Sequence, residues 1–389
     1  MEGNDRLTRP RQGVPTSVPR MVMAPSRIAA SACLVLVTLI PLTVPAAADP
    51  APGSELVAYP HPRGYVCYRA TGPIVIDGKP DDKAWEAAPW TDPFADIEGD
   101  KKPAPRFKTR AKMLWDDTAL YILAELEEPD VWATLTEHDS VIFNDNDFEV
   151  FLNPDGDNHL YAELELNALN TTWDLLLTKP YKDGGRAVNA WEITGLKTAV
   201  RVDGTLNNPA DKDRGWTVEI RWPFAGLKEL SQSPVPPRGG DRWRINFSRV
   251  EWDTELVGGK TQKVKGRPEH NWVWSPQGVI DMHRPERWGY LQFTSASPGK
   301  ATFQPDPDWP ARDLLHRVYY AQREYRKAKG KYTTAIGDLG LTNPTAPLAS
   351  PITLETTTNG FEAGLTLPAD RGGKARRLSI THDALVRIE

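Results

Sequence analysis

Asn146-Asp147-Phe148-Glu149-Val150-Phe151-Leu152, followed by Leu160-Tyr161-Ala162-Glu163-Leu164-Glu165-Leu166, is the passage on which the fold turns. Side chains along a β-strand alternate between two faces, so a period of two marks a strand with one dry side. In the first run Phe148, Val150 and Leu152 point one way, and Glu149 and Phe151 the other. In the second, Leu160, Ala162, Leu164 and Leu166 point inward and Tyr161, Glu163 and Glu165 outward. An outward acidic pair on such a strand reads first as a solvated face. The segment between them, Asn153-Pro154-Asp155-Gly156-Asp157-Asn158, has the chemistry of a hairpin turn.

The same alternation continues outward from this pair. Residues 106–115 lead through Asp116-Asp117 to residues 119–126, and Trp216, Val218, Ile220 and Trp222 form another one-sided row. Trp243, Ile245 and Phe247 form a third, and residues 288–293 close the series. Parallel α/β folds need crossover helices that this stretch lacks. The expectation is an all-β chain: an antiparallel β-sandwich over residues 66–294, with Trp85, Trp216, Trp222, Trp243 and Trp288 in its core. Beyond a linker at 295–310 the period changes. Leu314, Leu315, Val318, Tyr319, Gln322 and Tyr325 share one helical face over 311–329, the other positions are largely basic, and Gly330 is a stop signal. A hairpin about Asn359-Gly360 and one strand within 377–388 complete a small C-terminal α+β appendage, residues 311–389. Its basic helix is a candidate surface for the acidic sandwich or for an envelope or extracellular protein partner.

The first 48 residues read as an address rather than as structure. Arg20 and Arg27 precede an apolar run at 28–44 interrupted by Pro41, and Ala46-Ala47-Ala48 offers small residues before Asp49. That is the pattern of a cleavable signal peptide, cut after Ala48, and it predicts a secreted or periplasmic protein with translation starting at Met21 or Met23. The run is shorter than the ~20 residues of a membrane-spanning helix. Residues 49–65 are a Pro/Gly-rich linker. Cleavage removes Cys33 and leaves Cys67 as the single thiol, so no internal disulfide can form. Of 47 basic side chains 5 are lost, and of 52 acidic ones 2, which moves the net charge from −5 to about −8. With no basic stripe on the sandwich, nucleic acid is not expected as a partner. All 14 tryptophans follow the leader, and Trp serves both sandwich cores and sugar stacking.

Four segments resemble the family 9 carbohydrate-binding modules. The opening Val75-Ile76-Asp77-Gly78-Lys79-Pro80-Asp81-Asp82-Lys83-Ala84-Trp85 is similar to the family's first signature, and Met113-Leu114-Trp115-Asp116-Asp117-Thr118-Ala119-Leu120-Tyr121-Ile122 to its paired strands. The acidic strand at 146–152 and the close, Trp274-Ser275 with Pro285-Glu286-Arg287-Trp288-Gly289-Tyr290-Leu291, follow in order. The resemblance implies a two-sheet sandwich, often with bound calcium, that recognises sugars at chain ends between two aromatic rings. The apolar C–H face of a pyranose stacks on such rings while polar side chains fix its hydroxyls. Aligned by residue, the two clamp positions fall at Phe143 and Met282. Glu149 keeps the family's strand carboxylate, and Glu165 stands where the family places an arginine.

The expected sugar site therefore comprises Phe143, Glu149, Glu165, Trp173, Asn271, Trp272 and Met282. Trp132 and Trp191 are further aromatics in loop-like contexts. Oxygen ligands of the kind calcium prefers gather at Asp145, Asp147, Asp155 and Asp157, which the family pattern makes candidate ligands of a structural ion. His138, His159, His270 and His283 show no zinc spacing and read as surface or loop histidines. The leading expectation is an exported, non-catalytic carbohydrate-binding protein linked to polysaccharide breakdown. A glycoside hydrolase, or an accessory domain of one, is the alternative, with Glu163 and Glu165 as the carboxyl pair. A third is a non-sugar interaction module or a haem-binding sandwich, with Met113, Met282 and His283 as the available axial ligands.

Overall fold

In a computed structural model, residues 58–344, 350–369 and 373–389 are described. The leader, the proposed cut after Ala48 and the start at Met21 or Met23 lie outside them. Among the described residues, fifteen strands precede a single long helix: β1 (Gly64–Arg69), β2 (Ala95–Asp96), β3 (Thr109–Trp115), β4 (Ala119–Glu127), β5 (Asp147–Asn153), β6 (Tyr161–Asn167), β7 (Thr172–Leu177), β8 (Ala187–Val188), β9 (Lys197–Asp203), β10 (Gly215–Pro223), β11 (Arg242–Glu251), β12 (Thr254–Val257), β13 (Lys260–Lys263), β14 (His270–Val273) and β15 (Gly289–Thr294). Helix α1 (Trp309–Lys329) follows, then β16 (Thr353–Thr356), β17 (Phe361–Leu367), β18 (Arg376–Thr381) and β19 (Val386–Ile388).

The main sheet runs β8-β7-β6-β5-β11-β15-β1-β3-β4-β10-β9, with β14 and β2 continuing beside β11. It curls so that its two halves face each other. Phe148, Val150, Leu152, Ala162 and Leu164 from one half meet Met113, Ile122, Val218, Ile220 and Trp222 from the other in one dry core. The architecture is a β-sandwich, antiparallel everywhere except at β1, which runs parallel to both β15 and β3. As the first strand, β1 seals the seam between the halves, where long connections free it from hairpin geometry.

The five tryptophans assigned to the core are all buried, but in three places. Trp216, Trp222 and Trp243 belong to the inner core. Trp85 lies on the back of β3 and β4 with Tyr68, Leu114 and Leu123. Trp288 lies on the outer face of β5 and β6 with Phe151 and Tyr161. Leu160, expected inward, precedes β6 at φ 46° and is exposed.

The segment 75–85 is strapped down by one carboxylate. Glu219, fully buried in β10, accepts hydrogen bonds from Trp85 Nε1 at 2.9 Å and from the Asp77 and Gly78 amides at 3.0 Å. Gly78 takes φ 80°, and a Cβ there would sit 2.8 Å from the Val200 backbone, so only glycine fits.

The appendage has its own core, where Leu315, Val318 and Tyr319 of α1 pack on Leu365, Leu378 and Ile380. The sequence gives one strand within 377–388. The structure has two, β18 and β19, because Ala384 at φ 64° reverses the chain between them. The unit also docks on the sandwich. Buried Asn158 bonds His316 Nε2 and the Ala384 carbonyl, each at 2.9 Å. Arg323 bonds Asp183 at 2.6 Å, and Tyr320 donates to Glu286.

Replacing Glu219 with alanine strands three donors, two of them, the Gly78 amide and Trp85 Nε1, buried. The expected loss is about 3 kcal/mol in urea denaturation.

Candidate functional site

The outer face of β5, β6 and β7 carries a row set by strand register. Ser248 of β11 faces Glu149, Glu149 faces Glu165, and Glu165 faces Trp173. One step along, Phe151 faces Glu163. These acids are not solvated as the alternation suggested. Glu149, Glu163 and Glu165 are each at most 5% exposed, and Asp147 is fully buried. The reason is tertiary: loops before β5 and after β14 lie across the face. Phe143, in the short turn Ile142–Asn144, donates its amide to Glu165 Oε2 at 3.0 Å. Its ring meets Trp173 at 6.3 Å, and its carbonyl accepts Trp252 Nε1 at 2.9 Å. On the other flank His283 Nδ1 lies 2.9 Å from the Tyr161 hydroxyl, with its ring edge-on to Tyr181 at 4.5 Å.

Burial is the first cause of the site's electrostatics. It pushes Glu163 up to about 8, aided by the Glu149 charge, and Glu149 up to about 7. Glu165 and Asp147 are likewise raised, first by burial and then by Glu149. Burial acts oppositely on the base His283, lowering it to about 4. The Asp147 Oδ2 and Glu163 Oε2 atoms are buried without a hydrogen bond. One oxygen each from Asp147, Glu149 and Glu165 lies within 4.8 Å of the others. An oxygen-only, multiply acidic set of this kind suits a hard cation such as calcium.

Four of the seven expected sugar contacts converge: Phe143, Glu149, Glu165 and Trp173. Asn271 is half-buried and shares the face through its register with Val250, three strands from Glu165. Met282 is half-buried against Phe151, Tyr161 and Trp288, on the His283 flank. Trp272 does not belong there. Its register with Arg249 turns it into the inner core, where it packs on Phe107 and the Arg249 guanidinium. Trp132 is buried, and Trp191 is buried with Nε1 bonded to Glu229. Glu163, Tyr181 and His283 join the site. Only Glu163 carried a signal, its i, i+2 spacing from Glu165.

The four aspartates expected to share an ion are divided. Asp145 turns both carboxylate oxygens on its own loop, accepting from Thr134, Leu135 and Asn167, and so works as a staple rather than a ligand. Asp147 joins the glutamates. Asp155 and Asp157 sit at the β5–β6 turn, where Asp155 accepts the Gln232 amide and Asp157 the His159 amide. The haem reading also loses its ligands' proximity: Met113 is fully buried in the inner core, and Met282 packs on the outer face.

A family search matches residues 76–238 to the carbohydrate family 9 binding domain-like family. Residues 76–238 are thus similar to that family. The match covers the opening strap, the paired strands and the acidic row, including Phe143, Glu149, Glu163, Glu165 and Trp173. No curated protein matches the chain. Among solved structures, a protein described as carbohydrate-binding from Bacteroides uniformis ATCC 8492 is 15% identical, with TM-score 0.44, covering 60% of this chain and 99% of that one. A family 9 module from Caldicellulosiruptor kristjanssonii is 18% identical and covers 62% of this chain and all of that one. Its TM-score is 0.36 in complex with cellotriose and 0.37 with glucose.

Within the matched segment, Glu149 and Glu163 hold protons in the folded state above their ordinary value of 4.5, where the unfolded chain has released them. Stability is therefore full below about pH 4.5 and is lost as the pH rises through about 7 and about 8. Thermal midpoints in chelator should fall between pH 5 and pH 8.5, and Glu163→Gln should flatten that slope.

Proposed function

We propose that the outer face of β5–β7 binds a carbohydrate, and that the chain is an exported sugar-binding protein serving polysaccharide capture or breakdown. One observation carries the reading. Within the family 9-like segment, two half-exposed rings, Phe143 and Trp173, flank a row of carboxyls with raised pKa. A pyranose needs an apolar platform and closely placed polar groups, and both are present. A carboxyl held neutral donates to a hydroxyl oxygen, and an ionised one accepts from a hydroxyl, so the row serves both ends of a diol. Tyr181 and His283 bound the site on the far side. Export rests on the leader pattern at 28–48.

Calcium fits the same row. Asp147, Glu149 and Glu165 would hold it, and it would supply the positive charge their mutual repulsion lacks. Phe143 and Trp173 would then position the sugar while the occluding loops exclude water.

Calorimetry with soluble oligosaccharides, with and without calcium, tests the reading. Saturable binding is expected, and Trp173→Ala should weaken it by about 1–2 kcal/mol, roughly 5- to 30-fold, with the thermal midpoint unchanged. Absence of binding across a glycan array would overturn it. Release of reducing sugar would shift the row to hydrolysis, for which closely spaced carboxyls with raised pKa are also the requirement.

A further inference from the structure

A second cluster lies at the open edge of β7, where β8 pairs only with Leu176 and Leu177. The adjacent pair His138 and Asp139 meets Asp174 and Glu192 there, from two further stretches of the chain. The His138 Nδ1 atom is 2.9 Å from the Thr172 carbonyl oxygen. A carbonyl can only accept, so Nδ1 bears the hydrogen and Nε2 presents its lone pair to the other side. That side holds three carboxylates: Glu192 Oε1 at 3.3 Å, Asp139 Oδ1 at 3.4 Å and Asp174 Oδ1 at 3.7 Å.

Two of these oxygens are held ready. Asp174 is 1% exposed and directs Oδ2 to the Ile193 amide at 2.6 Å, leaving Oδ1 aimed at His138. Asp139, at φ 63°, turns Oδ1 into the cluster, where it is buried without a hydrogen bond. One atom each from His138, Asp139 and Asp174 lies within 4.8 Å of the others. Charge-assisted N–H···O bonds contract to about 2.7–2.9 Å, and none of the three contacts does. A tetrahedron built on bonds of about 2.0–2.1 Å has edges of about 3.3–3.4 Å, which the distances from His138 Nε2 to Glu192 and Asp139 match, while Asp174 stands slightly farther off at 3.7 Å. Moreover, one imidazolium would leave two negative charges uncompensated at a half-dry site.

We propose that His138, Asp139, Asp174 and Glu192 bind a divalent transition-metal ion of the zinc class, His138 through Nε2 and each carboxylate through one oxygen. The imidazole nitrogen selects against calcium, which prefers six to eight oxygens. The Thr172 carbonyl fixes the ligating tautomer. The site has a mechanical consequence. Asp139 Oδ2 accepts from Asn189 Nδ2 at 3.4 Å, and Asn189 Oδ1 accepts Trp173 Nε1 at 2.6 Å. Metal binding therefore ties the 138–139 and 189–192 loops to the half-exposed indole of Trp173. The ion site stands whether or not the outer face takes sugar.

Calorimetric titration of the chelator-stripped chain with Zn²⁺ tests this. One ion per chain should bind, with a change in tryptophan emission that Trp173→Phe abolishes. His138→Gln and the exposed variant Glu192→Gln should each weaken binding about 10-fold or more. Urea melts in chelator check that both variants remain folded. Absence of Zn²⁺ binding, equal affinity in a folded His138→Gln/Glu192→Gln double variant, or displacement of Zn²⁺ by equimolar Ca²⁺ would each overturn the proposal.

Discussion

Strands β5 and β6 are dry on both faces, and this double burial shapes everything around them. Their alternate residues enter the sandwich core, which is ordinary for a two-layer fold. The intervening residues place Asp147, Glu149, Glu163 and Glu165 out of contact with water on the opposite side. An ionised carboxylate in such a setting costs several kcal/mol unless a partner or cation compensates it. The raised pKa values, and the buried oxygens left without hydrogen bonds, are two expressions of that cost. A face built for stability alone would carry apolar side chains there, as the neighbouring Phe151, Tyr161 and Trp288 do.

The outer layer is held in place from outside the family-matched segment. Helix α1 reaches the two loops that bound the acidic row. Tyr319 and Arg323 bond Asp183, next to Tyr181, while Tyr320 bonds Glu286, just beyond His283. Lys182 lies 3.9 Å from Glu286 and joins the two loops across the gap. Burial works to raise the Glu286 pKa, but the charges of Lys182, His316 and Arg284 and the Tyr320 hydrogen bond outweigh it and hold the carboxyl well below the ordinary carboxylate range. The basic character of α1 is thus partly absorbed within the molecule, where its charges fix the loops that carry Tyr181 and His283.

Much of the sandwich was legible because strand alternation is a local property. Phe148, Val150 and Leu152 enter the core as read, and the turn around Asn359-Gly360 joins β16 to β17. Legibility failed where a neighbour in space, rather than in sequence, sets a residue's surroundings. Glu163 and Glu165 read as solvated because nothing local reveals the loops above them. Trp272 read as a loop aromatic, yet its register opposite Arg249 turns it inward. His138 showed no metal-ligand spacing because two of its companions, Asp174 of β7 and Glu192, are distant in sequence.

By itself the sequence determined the two-faced strands, the sandwich, the helix of the appendage and the side of the sheet that bears the acids. These follow from period, turn chemistry and side-chain size, which act over a few residues. Tertiary structure alone decided which of those acids lose water, that Phe143 closes on Trp173, and that Asp174 and Glu192 join Asp139 around the His138 Nε2 atom. Dehydration and charge proximity depend on what packs above a face, and strand periodicity carries no record of that.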